Sequence, residues 1–194
     1  MRKNNAGVSL ILLFTIFLSS CGGMDSIIVK QGYDFSKIKR VAVLEFKNAP
    51  YTANTAGSMA SELFTKYLLQ TGYNVIERDE INSILREHQL SVSGALNPEQ
   101  VKEFGKIAGV DAIITGSITI AVPEREFYEN GNPRFISAQA GITCRMISVE
   151  TGEILWAGSD TYDGMNTQTA FEYLISSLVR QLMRDLSKRA VELP

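Results

Sequence analysis

The stretch Asn97-Pro-Glu-Gln-Val-Lys-Glu-Phe-Gly-Lys-Ile-Ala-Gly-Val-Asp-Ala-Ile-Ile-Thr-Gly-Ser-Ile-Thr-Ile120 decides the fold. Its first half reads as a helix: Asn97 supplies an N-cap, Pro98 fits the first turn, Gln100 completes a capping box, and Gly109 ends the element. Its second half, Asp111 to Ile120, reads as a strand rich in isoleucine. Upstream, Val41-Ala-Val-Leu44, closed by Phe46, is a continuous apolar run behind Lys39-Arg40, the pattern of a central strand buried on both faces. Ala56, Met59, Ala60, Leu63, Phe64, Tyr67 and Leu68 recur at helical spacing until Gly72. Tyr73 to Glu77 reads as the next strand, and Ile81, Ile84, Leu85 and His88 mark a second helix after Asp79. Three strands separated by helices favour parallel crossovers.

Downstream the pattern changes. Two antiparallel hairpins are expected, turning at Asn130-Gly-Asn-Pro133 and at Glu150-Thr-Gly-Glu153, with Gly141 to Val149 and Ile154 to Tyr162 as strands. A long closing helix follows, in which Phe171, Leu174, Ile175, Leu178, Val179, Leu182, Met183 and Leu186 form one stripe. The fold class read from these elements is α/β: a three-layer α/β/α sandwich with a mixed central sheet and a long C-terminal helix.

The N-terminus carries a different signal. Arg2 and Lys3 precede the apolar run Val8 to Leu18, which is shorter than the ~18 to 20 residues a spanning helix needs, and small residues lead to Cys21. Leu18-Ser19-Ser20-Cys21 looks like a bacterial lipobox, which implies cleavage between Ser20 and Cys21 and diacylglycerol on the Cys21 thiol. The expected organisation is a cleaved signal peptide at 1–20, a lipidated tether at 21–37 and one α/β domain at 38–194. Two or more acyl chains hold lastingly where one holds marginally. Processing removes Arg2 and Lys3 from 19 basic residues, leaving 17 against 21 acidic, a net charge of about −4. Nucleic acid is therefore not an expected partner.

Motifs that carry chemistry are absent from the sequence. It contains neither a Gly-x-x-x-x-Gly-Lys-Ser/Thr phosphate loop nor Gly-x-Gly-x-x-Gly, and Gly105 to Gly109 reads as packing plus a helix C-cap. His88, the one histidine, has no second histidine with which to share a metal. Cys144 alternates with Ile142 and Met146, as a small core residue does, and Trp156 reads as a core aromatic before a partner anchor. Glu124, Glu126 and Glu129 flank a hairpin tip, where charge protects edges and keeps a loop soluble. No catalytic residue, cofactor or metal is expected.

Four segments together resemble the CsgG-type family of the curli secretion channel: Val41 to Phe46, Val75 to Leu85, Gly109 to Ile118 and Arg145 to Leu155. The run Ser148-Val-Glu-Thr-Gly-Glu-Ile-Leu-Trp156 is also similar to the LpoB-type lipoprotein activators of penicillin-binding proteins. The resemblance covers about Lys37 to Leu186. It implies a periplasm-facing α/β/α domain on the outer membrane, held by lipid on Cys21; in channel members two long hairpins per subunit insert and close an oligomeric barrel. Here the first hairpin alternates Val122, Glu124, Glu126, Tyr128 with Pro123, Arg125, Phe127, Glu129, and neither row is continuously apolar. Asp163 to Gln168 leaves no room for a second hairpin. The leading expectation is thus a non-enzymatic, protein-binding accessory component of envelope assembly or secretion. A curli-type channel subunit and an activator of a penicillin-binding protein remain alternatives, and a homo-oligomer stays open.

Overall fold

The computed structural model describes residues 27–48, 50, 55–88 and 97–191. Its main sheet has six strands in the order β1-β8-β7-β4-β2-β3: β1 Ile27–Val29, β2 Arg40–Val43, β3 Asn74–Val75, β4 Ala112–Val122, β7 Ala138–Ser148 and β8 Ile154–Gly164. The β3–β2 and β2–β4 pairs are parallel, while the β4–β7, β7–β8 and β1–β8 pairs are antiparallel. The sheet is therefore mixed, with its parallel part where helices separate the strands and its antiparallel part where hairpins join them. The helices are α1 Ala56–Leu69, α2 Arg78–Glu87, α3 Pro98–Ala108 and α4 Thr167–Val191.

Two clusters of buried side chains give the three layers. Val41, Val43, Ile114, Ile142, Met146 and Trp156 face α1 and α4. Ala42, Leu44, Ile113 and Ile147 face α2 and α3 through Ile81, Val101, Phe104 and Ala108. Alternation along one strand feeds both clusters, which is why β2 and the start of β4 read as unbroken apolar runs. The α/β/α sandwich with its mixed sheet and long C-terminal helix is the architecture read from the sequence.

Local chemistry fixes the joints. Asn97 accepts from the Gln100 N–H and Gln100 reciprocates, so α3 begins in a full capping box, and Gly109 ends it in the left-handed conformation at φ 62°. The Asp111 carboxylate accepts from the Lys39 and Arg40 N–H groups at 2.7 and 2.9 Å, pinning the entrance of β2 to that of β4. A Cβ at Gly105 would lie 2.2 Å from a Val149 methyl, so this glycine is where α3 meets the β7–β8 corner.

Three boundaries differ from the sequence reading. The stretch read as a tether to Lys37 contributes β1, whose Ile27 pairs with Gly158, and a 3-10 turn at Phe35–Lys37 with Phe35 buried. Tyr73 to Glu77 gives only the two-residue β3, because a sheet-edge position leaves one side without a ladder. Asn132 and Pro133 belong to a strand, not to the turn. The signal and lipobox residues, Ser20 and Cys21 included, lie outside the described residues.

Candidate interaction surface

Between β4 and β7 the chain leaves the main sheet as a separate two-stranded arm, β5 Arg125–Glu129 and β6 Asn132–Ile136. Its turn is the pair Asn130-Gly131, with φ of 52° and 78°, the left-handed pair that suits the twist of a hairpin. The register sets Arg125 opposite Ile136, Glu126 opposite Phe135, Phe127 opposite Arg134 and Tyr128 opposite Pro133. One face thus gathers Glu126, Tyr128, Pro133 and Phe135, and the other carries Phe127 and Ile136 among Arg125, Glu129 and Arg134.

All ten strand residues of the arm are exposed, Tyr128 at 73% and Phe135 at 61%. A hairpin alone in water is marginal. Large apolar side chains gathered on an exposed ribbon mark a surface that a partner covers. Rows read along β5 alone missed Phe135 and Ile136. The signal that finds them is Asn130-Gly131: a two-residue turn fixes the register and brings the β6 residues across.

The three glutamates part company. Glu124 at the arm's base accepts from the Thr167 N–H at 3.0 Å and the Thr167 hydroxyl at 3.1 Å, tying the arm to the start of α4. Hydrogen bonds from its own backbone, then from Thr167, hold its carboxyl below the ordinary value. Glu129 pairs with Arg134 at 3.0 Å. Glu126 stands opposite Phe135. Among the described residues no three of His, Cys, Asp and Glu gather in a way that could hold a metal ion.

The other singled-out residues are structural. His88 is the exposed C-cap of α2. Cys144 is buried, and burial pushes its thiol up to about 12 despite a contact to the Gly158 carbonyl at 3.6 Å. Trp156 is 1% exposed and donates its indole N–H to Asp185 at 3.2 Å, joining β8 to α4. An open cleft of about 360 Å³ lies where the 3-10 turn meets the end of α1 and the later turns of α4, lined by Phe35, Ile38, Tyr73 and Leu186. Burial raises the Tyr73 phenol there. Among the described residues no helix is long and apolar enough to cross a membrane.

Solved structures share this fold at low identity. The PelC dodecamer from Paraburkholderia phytofirmans is 15% identical, covering 80% of this chain and 94% of its own, with a TM-score of 0.53. Lipoprotein GNA1162 from Neisseria meningitidis is 17% identical, covering 75% and 99%, also at 0.53. The LpoB C-terminal domain from Escherichia coli is 15% identical over 63% and 81%, at 0.46. No curated protein matches the chain. The family model described as curli production assembly/transport component CsgG matches residues 26–121, the segment from β1 into β4.

Proposed function

We propose that the chain is a bacterial outer-membrane lipoprotein, anchored by lipid on Cys21 and facing the periplasm, that acts without catalysis as a protein-binding accessory of envelope assembly or secretion. The observation that carries the reading is the β5–β6 arm, which presents Phe127, Tyr128, Phe135 and Ile136 outside the packed domain. The lipobox resemblance supplies the anchor. The fold shared with a Neisseria lipoprotein agrees with it, and the fold shared with a dodecamer keeps self-association open.

The arm suits a protein partner better than a pore. Five-residue strands reach about 17 Å at ~3.4 Å per residue, short of the ~25 Å apolar band of an outer-membrane barrel. Each face also carries charge, Glu126 on one and Arg134 with Glu129 on the other.

Two measurements test this. Cys21→Ser should abolish fatty-acid labelling and detergent partitioning; equal labelling of both forms removes the anchor. Tyr128→Ser with Phe135→Ser should leave the domain folded and membrane-attached while envelope-protein cross-links fall at least tenfold. Unchanged cross-links, or reproducible large conductance steps in planar bilayers, would replace the binding module with another reading, in the second case the channel.

A further inference from the structure

The arm and the open cleft lie at opposite ends of the domain. Glu124 ties the base of the arm to Thr167 at the start of α4, whereas the cleft takes Met183 and Leu186 from its later turns and Phe35, Ile38, Lys39 and Tyr73 from the other end of the sheet. The stretch of helix from Thr167 to Leu186 is roughly 29 Å long at ~1.5 Å per residue. Five-residue strands reach about 17 Å at ~3.4 Å per residue, so a copy cannot seat its arm in its own cleft.

The two surfaces are complementary in chemistry. One face of the arm gathers Tyr128, Pro133 and Phe135 around a single charge, Glu126. Unlike Glu124 and Glu129, Glu126 makes no hydrogen bond or ion pair among the described residues. The cleft is the reverse: apolar side chains around one ammonium, that of Lys39, which is exposed and makes no ion pair among the described residues. Asp34, an acid within its field, is already committed to the Ser36 N–H and hydroxyl at 3.1 and 2.6 Å. At about 360 Å³ the cleft is large enough for aromatic side chains to enter.

We infer that the cleft is the docking site for the arm of a second copy of this chain, with Tyr128 and Phe135 seated against Phe35, Ile38 and Leu186 and the Glu126 carboxylate meeting the Lys39 ammonium. That partner rests on the reading of the arm as a binding surface. Each copy offers an arm at one end and a cleft at the other, so the contact is heterologous and copies add head to tail. Seating two aromatic side chains buries ~150–250 Å² each, and with the matching cleft surface the total is about 600–1,000 Å², below the ~1,200 Å² at which standard interfaces begin. A single contact is therefore weak and open in dilute protein, and it holds where copies are concentrated or where each copy is held at both ends.

Carbodiimide coupling, which joins a carboxylate to an amine in contact with it, tests the proposal on the full chain in detergent. In an equal mixture of isotopically heavy and light copies, peptides linked through Glu126 and Lys39 should appear, with heavy–light pairs as common as same-label pairs. In sedimentation velocity, larger species should grow with protein concentration. Glu126→Lys should raise the concentration they need at least tenfold, because like charges then meet at the contact, and adding Lys39→Glu to the same chain should restore assembly. Fluorescence of the buried Trp156 should stay unchanged as a monitor of the fold. Links confined to same-label pairs, or assembly indifferent to both charge reversals, overturn the proposal. A chain that stays monomeric at every concentration also overturns it; if Tyr128→Ser with Phe135→Ser still removes the envelope-protein cross-links, the arm binds a different protein and its reading as a binding surface stands. A monomeric chain with unchanged cross-links removes both.

Discussion

The β5–β6 arm and the β7–β8 hairpin are made of similar local material and meet opposite fates. Each turns through a glycine with positive φ, Gly131 at 78° and Gly152 at 75°, and each hairpin as a whole mixes aromatic, aliphatic and polar residues. On β7 and β8 the side chains Ile142, Met146, Leu155 and Trp156 are buried because α4 lies across them. On the arm nothing among the described elements lies across Phe127, Tyr128 or Phe135. Turn chemistry sets pairing and register in both. Burial depends on a helix supplied from elsewhere in the chain, and only one hairpin receives it.

The contrast can be broken at its strongest point by Trp156→Ala, which empties the joint between β8 and α4 and leaves Asp185 without its indole donor. A loss of ~3 to 5 kcal/mol is expected in chemical denaturation. Ile113→Ala, on the opposite face of the sheet, should cost ~2 to 5 kcal/mol; a near-neutral result would show that the α2–α3 layer is loosely packed. Cys144 sharpens the same comparison through pH. Its thiol, raised from 9.0 to about 12 in the folded chain, binds its proton more tightly than when unfolded. Stability should therefore be intact below pH 9 and fall progressively as pH rises from there towards 12, a decline that Cys144→Ala removes. In the Cys21→Ser chain, a thiol reagent at pH 8 should find Cys144 silent until denaturant is added. At the other extreme, Tyr128→Ser and Phe135→Ser should each shift stability by no more than ~0.5 kcal/mol, as should His88→Ala. A large loss at Tyr128 or Phe135 would mean that the arm packs on the domain in solution.

Much of this was legible where a local rule and the tertiary outcome agree. The capping box at Asn97, the unbroken run Val41 to Leu44 and the stripe from Phe171 to Leu186 each name an element, and each is found. β1 was not legible: Ile27-Ile-Val29 is too short to show a period, and its partners at 156–158 are remote in sequence. The arm was legible by half, since the alternation of β5 is visible in its own residues but the neighbours that turn two faces into an apolar surface come from β6. Cys144 was readable as core from its alternation with Ile142 and Met146, and Trp156 from its aromatic bulk on an apolar strand. That Trp156 also bonds Asp185 depends on how α4 is seated, which no local pattern encodes.

The pairing of Ile27 with Gly158 has a consequence for the order in which the domain assembles. Loop closure between such distant residues is entropically late, and long-range strand pairing slows folding relative to local contacts. A chain that emerges N-terminus first exposes Ile27-Ile-Val29 well before β8 exists to receive it. The segment stays unpaired while β2, β4 and their helices assemble, then closes over the finished hairpin. Pulse-labelled exchange during refolding should show the amides of 27–29 gaining protection after those of 112–118, and simultaneous protection of both would mean that the edge strand joins an early collapsed nucleus instead.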